Sequence, residues 1–193
     1  MILRCFVFCA LAVLVVPCLA TAATVYTDEA TFLADLSGPY FLEEFASYTY
    51  GSYTGPSLNL GPDVNGFACT IAPFPLGDTL YSGDGNMSTN LAADAIRATF
   101  TGTPVYATGG WFFAGDISGN YINQSVTVTL SDGTTDTFTP PNGTTFRGYI
   151  AAVPLTYINV EAPDSPAVAW PTIDHFYMGP QLIPVELQSF SIE

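Results

Sequence analysis

Residues 124–140 read QSVTVTLSDGTTDTFTP. Val126, Val128 and Leu130 alternate with Ser125, Thr127 and Thr129, the period-2 pattern of a strand with one face in a core and the other in water. Asp132-Gly133 follows, a pair suited to a tight type I′ hairpin turn, and residues 134–138 supply the returning strand. The stretch predicts a β-hairpin with its apolar side chains turned inward.

The same pattern extends outward. Residues 40–45, 66–71, 95–100, 105–107, 110–114, 147–152, 156–160 and 174–178 form short runs rich in β-branched and aromatic side chains, separated by Gly, Pro, Asn, Asp, Ser and Thr. Ile158 and Val160 alternate with Tyr157, Asn159 and Glu161, predicting another half-buried strand. One segment differs: residues 28–38, DEATFLADLSG, read as a short helix with Thr27 as cap, Asp28 and Glu29 at its positive end, and Gly38 as stop. Its apolar face is Phe32, Leu33 and Leu36. With no second helical period there are no crossover helices for a parallel sheet. The expected fold is an all-β antiparallel β-sandwich, a jelly roll, with one short N-terminal helix.

Residues 1–23, MILRCFVFCALAVLVVPCLATAA, combine a basic start at Arg4, an apolar run, Pro17 and small residues. That order predicts a secretory signal peptide cleaved after Ala22 or Ala23. The run before Pro17 falls short of the about 20 apolar residues needed to span a bilayer. The expected organisation is therefore a leader at 1–23, a sandwich at 24–180, and a final strand or tail at 181–193. The mature chain is expected to have no integral membrane segment and to be secreted, extracellular or held at the cell surface.

Subtracting the leader changes the composition. Cys5, Cys9 and Cys18 leave with it, so Cys69 has no intramolecular disulfide partner and reads as a buried small hydrophobe. Arg97 and Arg147 remain against seventeen acidic residues, and losing Arg4 takes the formal charge from −14 to −15. Nucleic acid and anionic membranes are poor partners for such a surface, which suits divalent cations.

The usual catalytic groups are scarce. Lysine is absent, His175 is the lone histidine, and no serine-hydrolase, zinc-protease or phosphate-loop motif occurs. Glu43, Glu44, Asp116, Asp136 and Asp174 are the carboxylates available for a glycosidase pair, but neighbours such as Glu43 and Glu44 point to opposite faces of a strand. No residue is assigned as catalytic. The oxygen-rich segment 81–95 lacks the twelve-residue calcium-hand pattern and reads as a turn. Sequons occur at Asn86, Asn123 and Asn142. Trp111, Phe112 and Phe113 cannot all face one side of a strand, and Tyr50 and Tyr53 lie in a Ser/Thr/Gly-rich stretch. Rings at a sheet surface can stack on sugars, so Trp111, Tyr50 and Tyr53 are the candidate ligand contacts.

Taken in order, FLEEFASYTYG (41–51), GWFFAGDISGN (110–120), SVTVTLSDG (125–133), FRGYIAAVPLTYINVEA (146–162) and IDHFYMG (173–179) resemble secreted bacterial β-sandwich proteins. These are concanavalin-like or galactose-binding-like jelly rolls that often carry C-terminal surface-sorting tails. The resemblance implies that Glu44 and Asp174 lie close together around one structural calcium ion. The chain departs from the pattern at Ala46, where another acid is common, at His175 after Asp174, and in lacking the apolar and basic segments of a sorting tail. The expected function is that of a noncatalytic extracellular protein binding polysaccharide or a cell-surface matrix. A carboxylate-dependent glycan hydrolase or lyase and a purely structural extracellular protein are the alternatives.

Overall fold

The computed structural model describes residues 22–75, 78–163 and 168–180. The expected tail, and all but the last two residues of the expected leader, lie outside the described residues. In chain order the elements are β1 (Thr24–Tyr26), α1 (Glu29–Ala34), β2 (Phe41–Glu43), β3 (Thr54–Gly55), β4 (Leu58–Leu60), β5 (Cys69–Phe74), β6 (Leu80–Ser82), β7 (Met87–Thr89), β8 (Ala95–Phe100) and β9 (Val105–Gly115). They continue with β10 (Tyr121–Ile122), β11 (Val126–Leu130), β12 (Thr135–Phe138), β13 (Phe146–Leu155), β14 (Tyr157–Glu161) and β15 (Trp170–Gly179).

The strands form two antiparallel sheets. One runs β12-β11-β14-β8-β5-β4; the other runs β1-β13-β9-β15-β7-β6-β3, with β10 beside β9 and β2 beside β15. Ile71, Ile96, Val126, Val128, Leu130, Ile158 and Val160 from the first meet Leu80, Phe112, Ile173, Phe176 and Met178 from the second in one buried core. Each such side chain contributes about 1.5–3 kcal/mol by leaving water. The protein is an all-β sandwich. Among the described residues, no helix is long and apolar enough to cross a membrane.

The hairpin forms as its alternation requires, with Val126, Val128 and Leu130 all buried. Its turn differs from the expected two-residue type I′. Thr129 pairs with Thr135, the Leu130 N–H donates to the Thr134 carbonyl, and the Gly133 N–H donates to the Leu130 carbonyl. The loop therefore holds three residues, and Gly133 alone among them has positive φ, at 91°. This is a type I turn closed by a glycine bulge. Asp132 Oδ1 accepts the Thr134 N–H at 2.9 Å, a local bond that favours this form.

Other boundaries moved for local reasons. Asp28 caps α1 in place of Thr27: it is extended, and its Oδ1 accepts both the backbone N–H (2.8 Å) and the hydroxyl (2.7 Å) of Thr31. Those bonds hold its carboxyl below the usual range. The runs at 105–107 and 110–114 are one strand, β9, and segment 81–95 contains β7 rather than a simple turn. The strands missed by periodicity are only two or three residues long, too short to display a period. Cys69 is buried, and burial, followed by the charge of Glu43, pushes its thiol up to about 12.

The second face of the larger sheet is covered as well. Phe32, Ala107, Phe146, Ile150 and Tyr177 form a separate buried cluster under α1. Trp111 packs at its edge.

Candidate functional site

Two places concentrate chemistry. The first is a groove of about 280 Å³ lined by Tyr50, Tyr81 and Trp170 together with Ser88, Thr89, Asn90, Asp116, Ile117 and Gly119. Tyr50 lies on the loop between β2 and β3, where Gly51 at φ 65° lets the chain turn and donates its N–H to the Ser82 carbonyl at 2.8 Å. The turn brings the Tyr50 ring edge-on to Tyr81 of β6, with centroids 5.5 Å apart. Trp170 opens β15, and its Nε1 donates to the Asn90 carbonyl at 3.1 Å. Asp116 follows β9. Its Oδ1 accepts the N–H groups of Ser118 (2.8 Å) and Asn120 (3.0 Å). Burial pulls this carboxyl upward, but the hydrogen bonds from Asn120 and Ser118 outweigh it and the net direction is down. A fixed carboxylate thus sits beside three rings.

Only one of the three expected ligand contacts is in this groove. Tyr50 is there and 54% exposed. Tyr53 packs against the core and against Tyr48, with its hydroxyl donated to the Ser57 carbonyl. Trp111 lies outside the groove, over His175, with rings 4.4 Å apart and nearly parallel. Sequence reading missed Tyr81 and Trp170. Both lie on strand segments whose exposure depends on what crosses them.

The second place is built by a bulge in β15. Pairing between β15 and β9 shifts between Asp174 and Tyr177, so Ile173 and Phe176 both enter the main core with two residues between them. Asp174 and His175 occupy that gap. His175 has φ 49° and Phe45, just beyond β2, has φ 50°; they are the only non-glycine residues with positive φ among those described. Such strain costs about 1–3 kcal/mol per residue, and bulges commonly re-aim side chains near sites. His175 Nε2 lies 3.1 Å from Glu29 Oε1 and 2.9 Å from the Tyr177 hydroxyl. That hydroxyl donates to Glu29 at 2.5 Å. His175 Nδ1 is 3.8 Å from Glu44.

Of the expected pair, Glu44 lies 3.8 Å from His175 Nδ1 and Asp174 Oδ1 accepts the His175 N–H at 2.6 Å. Burial first, with the charges of Glu44 and Glu43 adding to it, raises the Asp174 carboxyl to about 6 against the opposing His175 contacts. Calcium takes 6–8 oxygen ligands. Among the described residues, no group of three or more His, Cys, Asp or Glu side chains is placed to hold a metal ion. The geometry gives the expected calcium ion no support of its own.

The raised Asp174 carboxyl has a measurable consequence. Between its unfolded value of about 4 and its folded value of about 6, the native state holds a proton that the unfolded chain has released. Its contribution is therefore fully present below about pH 4 and lost as pH rises through 6. After discounting for partial exposure, about 1 kcal/mol is expected. Urea midpoints from pH 4 to 7 should fall less in Asp174→Asn than in the parent; parallel profiles would refute the assignment.

No family model, curated protein or solved structure matches this chain. The class is set by the fold itself, an antiparallel β-sandwich.

Proposed function

We propose that the chain is an exported, noncatalytic β-sandwich that binds neutral polysaccharide, free or in a cell-surface matrix, in the groove of Tyr50, Tyr81 and Trp170. The carrying observation is the convergence of these three rings with Asn90 and Asp116, because sugar recognition needs apolar faces for the ring and fixed polar groups for its hydroxyls. The groove is slightly below the about 300 Å³ at which drug-sized pockets begin, a size suited to a short stretch of a longer chain. Export rests on the leader, and the jelly-roll resemblance belongs to the same proposal.

Charge narrows the ligand class to neutral glycans. Both arginines among the described residues are engaged. The Arg97 guanidinium lies between Phe74 and Tyr157, at 3.4 and 4.3 Å from their centroids, and its Nε donates to Asn159 at 2.6 Å. Arg147 lies 3.4 Å from Asp136 and over Phe138. An acidic chain with its cations so occupied repels sulfated and uronate-rich polymers.

Titration calorimetry against neutral and polyanionic polysaccharides tests the proposal. Saturable binding to a neutral polymer is expected, weakened about tenfold by Trp170→Ala or Tyr50→Ala, each ring contributing on the order of 1 kcal/mol. Absence of binding to every neutral polymer, or binding unaffected by both substitutions, would overturn it. The hydrolase or lyase alternative draws on the Asp174 carboxyl near 6, a value suited to proton transfer. Chain shortening of the polymer, abolished in Asp174→Asn, would replace the binding proposal.

A further inference from the structure

We infer that the chain matures by hydrolysis of the Ala22–Ala23 peptide bond, and that the new α-ammonium group of Ala23 joins the fold by pairing with Asp132. The inference rests on the export proposal. Sequence rules allow a cut after either Ala22 or Ala23, because small residues precede both bonds. The fold separates them. Ala22 is exposed, whereas Ala23 is 8% exposed and belongs to the main core. Its backbone N–H donates to Thr134 Oγ1 at 2.7 Å in a buried contact spanning 111 positions. A cut after Ala23 would remove both the core methyl and this donor. A cut after Ala22 keeps them.

The independent observation is on the other side of Thr134. Its N–H donates to Asp132 Oδ1, so Ala23 and Asp132 are bound to the same threonine. Asp132 Oδ2 is buried with no hydrogen-bond partner among the described residues. A buried carboxylate oxygen left this way has lost its hydration with no donor to replace it, a net cost to the fold that is larger when the group is charged. A peptide N–H has one proton, already given to Thr134. Hydrolysis adds water across the bond: the Ala22 carbonyl becomes a free carboxylate, the C–N bond breaks, and the nitrogen gains protons to become an ammonium. That group has three donors, enough for Thr134 Oγ1 and for Asp132. An endopeptidase acting on small residues as the chain crosses the membrane, before it folds, is the class of enzyme required.

The chain has no lysine, so in the matured protein the Ala23 nitrogen is the one primary amine. The complete chain should be expressed in a secreting host and the exported product analysed by intact mass and N-terminal sequencing. Ala23 as first residue is expected. A product beginning at Thr24 or elsewhere overturns the inference but leaves export standing; a chain still carrying its first 22 residues overturns both. Pairing is read separately by acylation with an N-hydroxysuccinimide ester. The folded protein should label at least tenfold more slowly than the urea-unfolded protein. Asp132→Asn keeps the acceptor for Thr134 and suits the Asn-Gly turn, and should speed labelling of the folded protein severalfold. Equal folded and unfolded rates, or no change in the variant, would overturn the pairing.

Discussion

Phe112→Ala is expected to destabilise the protein by about 3–5 kcal/mol, whereas Trp111→Ala, one residue away, should cost no more than about 2 kcal/mol. Phe112 is fully buried. With Ile96, Ala98, Ile158, Val160, Ile173 and Phe176 it lines an intersheet gap too small to hold water. Removing the ring leaves a cavity between two sheets whose backbones are held by their own ladders, so little collapse can refill it. Trp111 points to the opposite face and is half-exposed beside His175, so water can occupy the space it vacates. Typical domains are stable by about 5–15 kcal/mol, and a loss at Phe112 of this size would shift the urea midpoint strongly. Equal losses at the two positions would contradict the facing assigned to β9.

Gly148→Ala is expected to cost about 1–3 kcal/mol or more, although it adds one methyl to a strand. Gly148 lies on β13 opposite Gly109 of β9 and beside Tyr26 of β1. A Cβ there would approach Phe32 Cδ2 to 2.6 Å and the Phe146 ring to 2.8 Å. Both rings are buried and lie 5.3 Å apart, so neither has room to yield. The glycine lets α1 settle onto the sheet, and α1 carries Glu29 to His175 and Tyr177. The variant should therefore lose stability and also alter the environment of His175, read as a shift of its ring resonances. An unchanged midpoint with unchanged His175 signals would mean that α1 does not depend on this contact.

The hairpin, β8 and the helix were legible because their signals are local. Alternation in residues 126–130 needs only one buried face, and an acid followed by an apolar turn is enough to start a helix. The bulge was not legible. Strict alternation through Ile173, Asp174, His175 and Phe176 would bury His175 with Ile173 and turn Phe176 outward. The core takes Phe176 instead. Burying a phenylalanine stabilises by about 1.5–3 kcal/mol, enough to offset the strain of one residue at positive φ. That balance is invisible until the opposing sheet is in place.

The candidate site divides along the same line. Glu44 and Asp174 each border His175, and Glu29 and Tyr177 complete the cluster only because β2, β15 and α1 converge. Tyr50 could be picked out from its polar surroundings, while Tyr53 has the same surroundings and is held inward by its hydroxyl bond to Ser57. Tyr81 and Trp170 reach the groove from β6 and the head of β15, strands separated by β7.

By itself, the sequence determined an all-β sandwich, because turn residues and period-2 alternation act within a few positions of one another. Only the tertiary structure decided which rings form a groove and which acids gather around His175. Those outcomes depend on register between strands far apart in the chain, and the energy that sets the register comes from burial across two sheets.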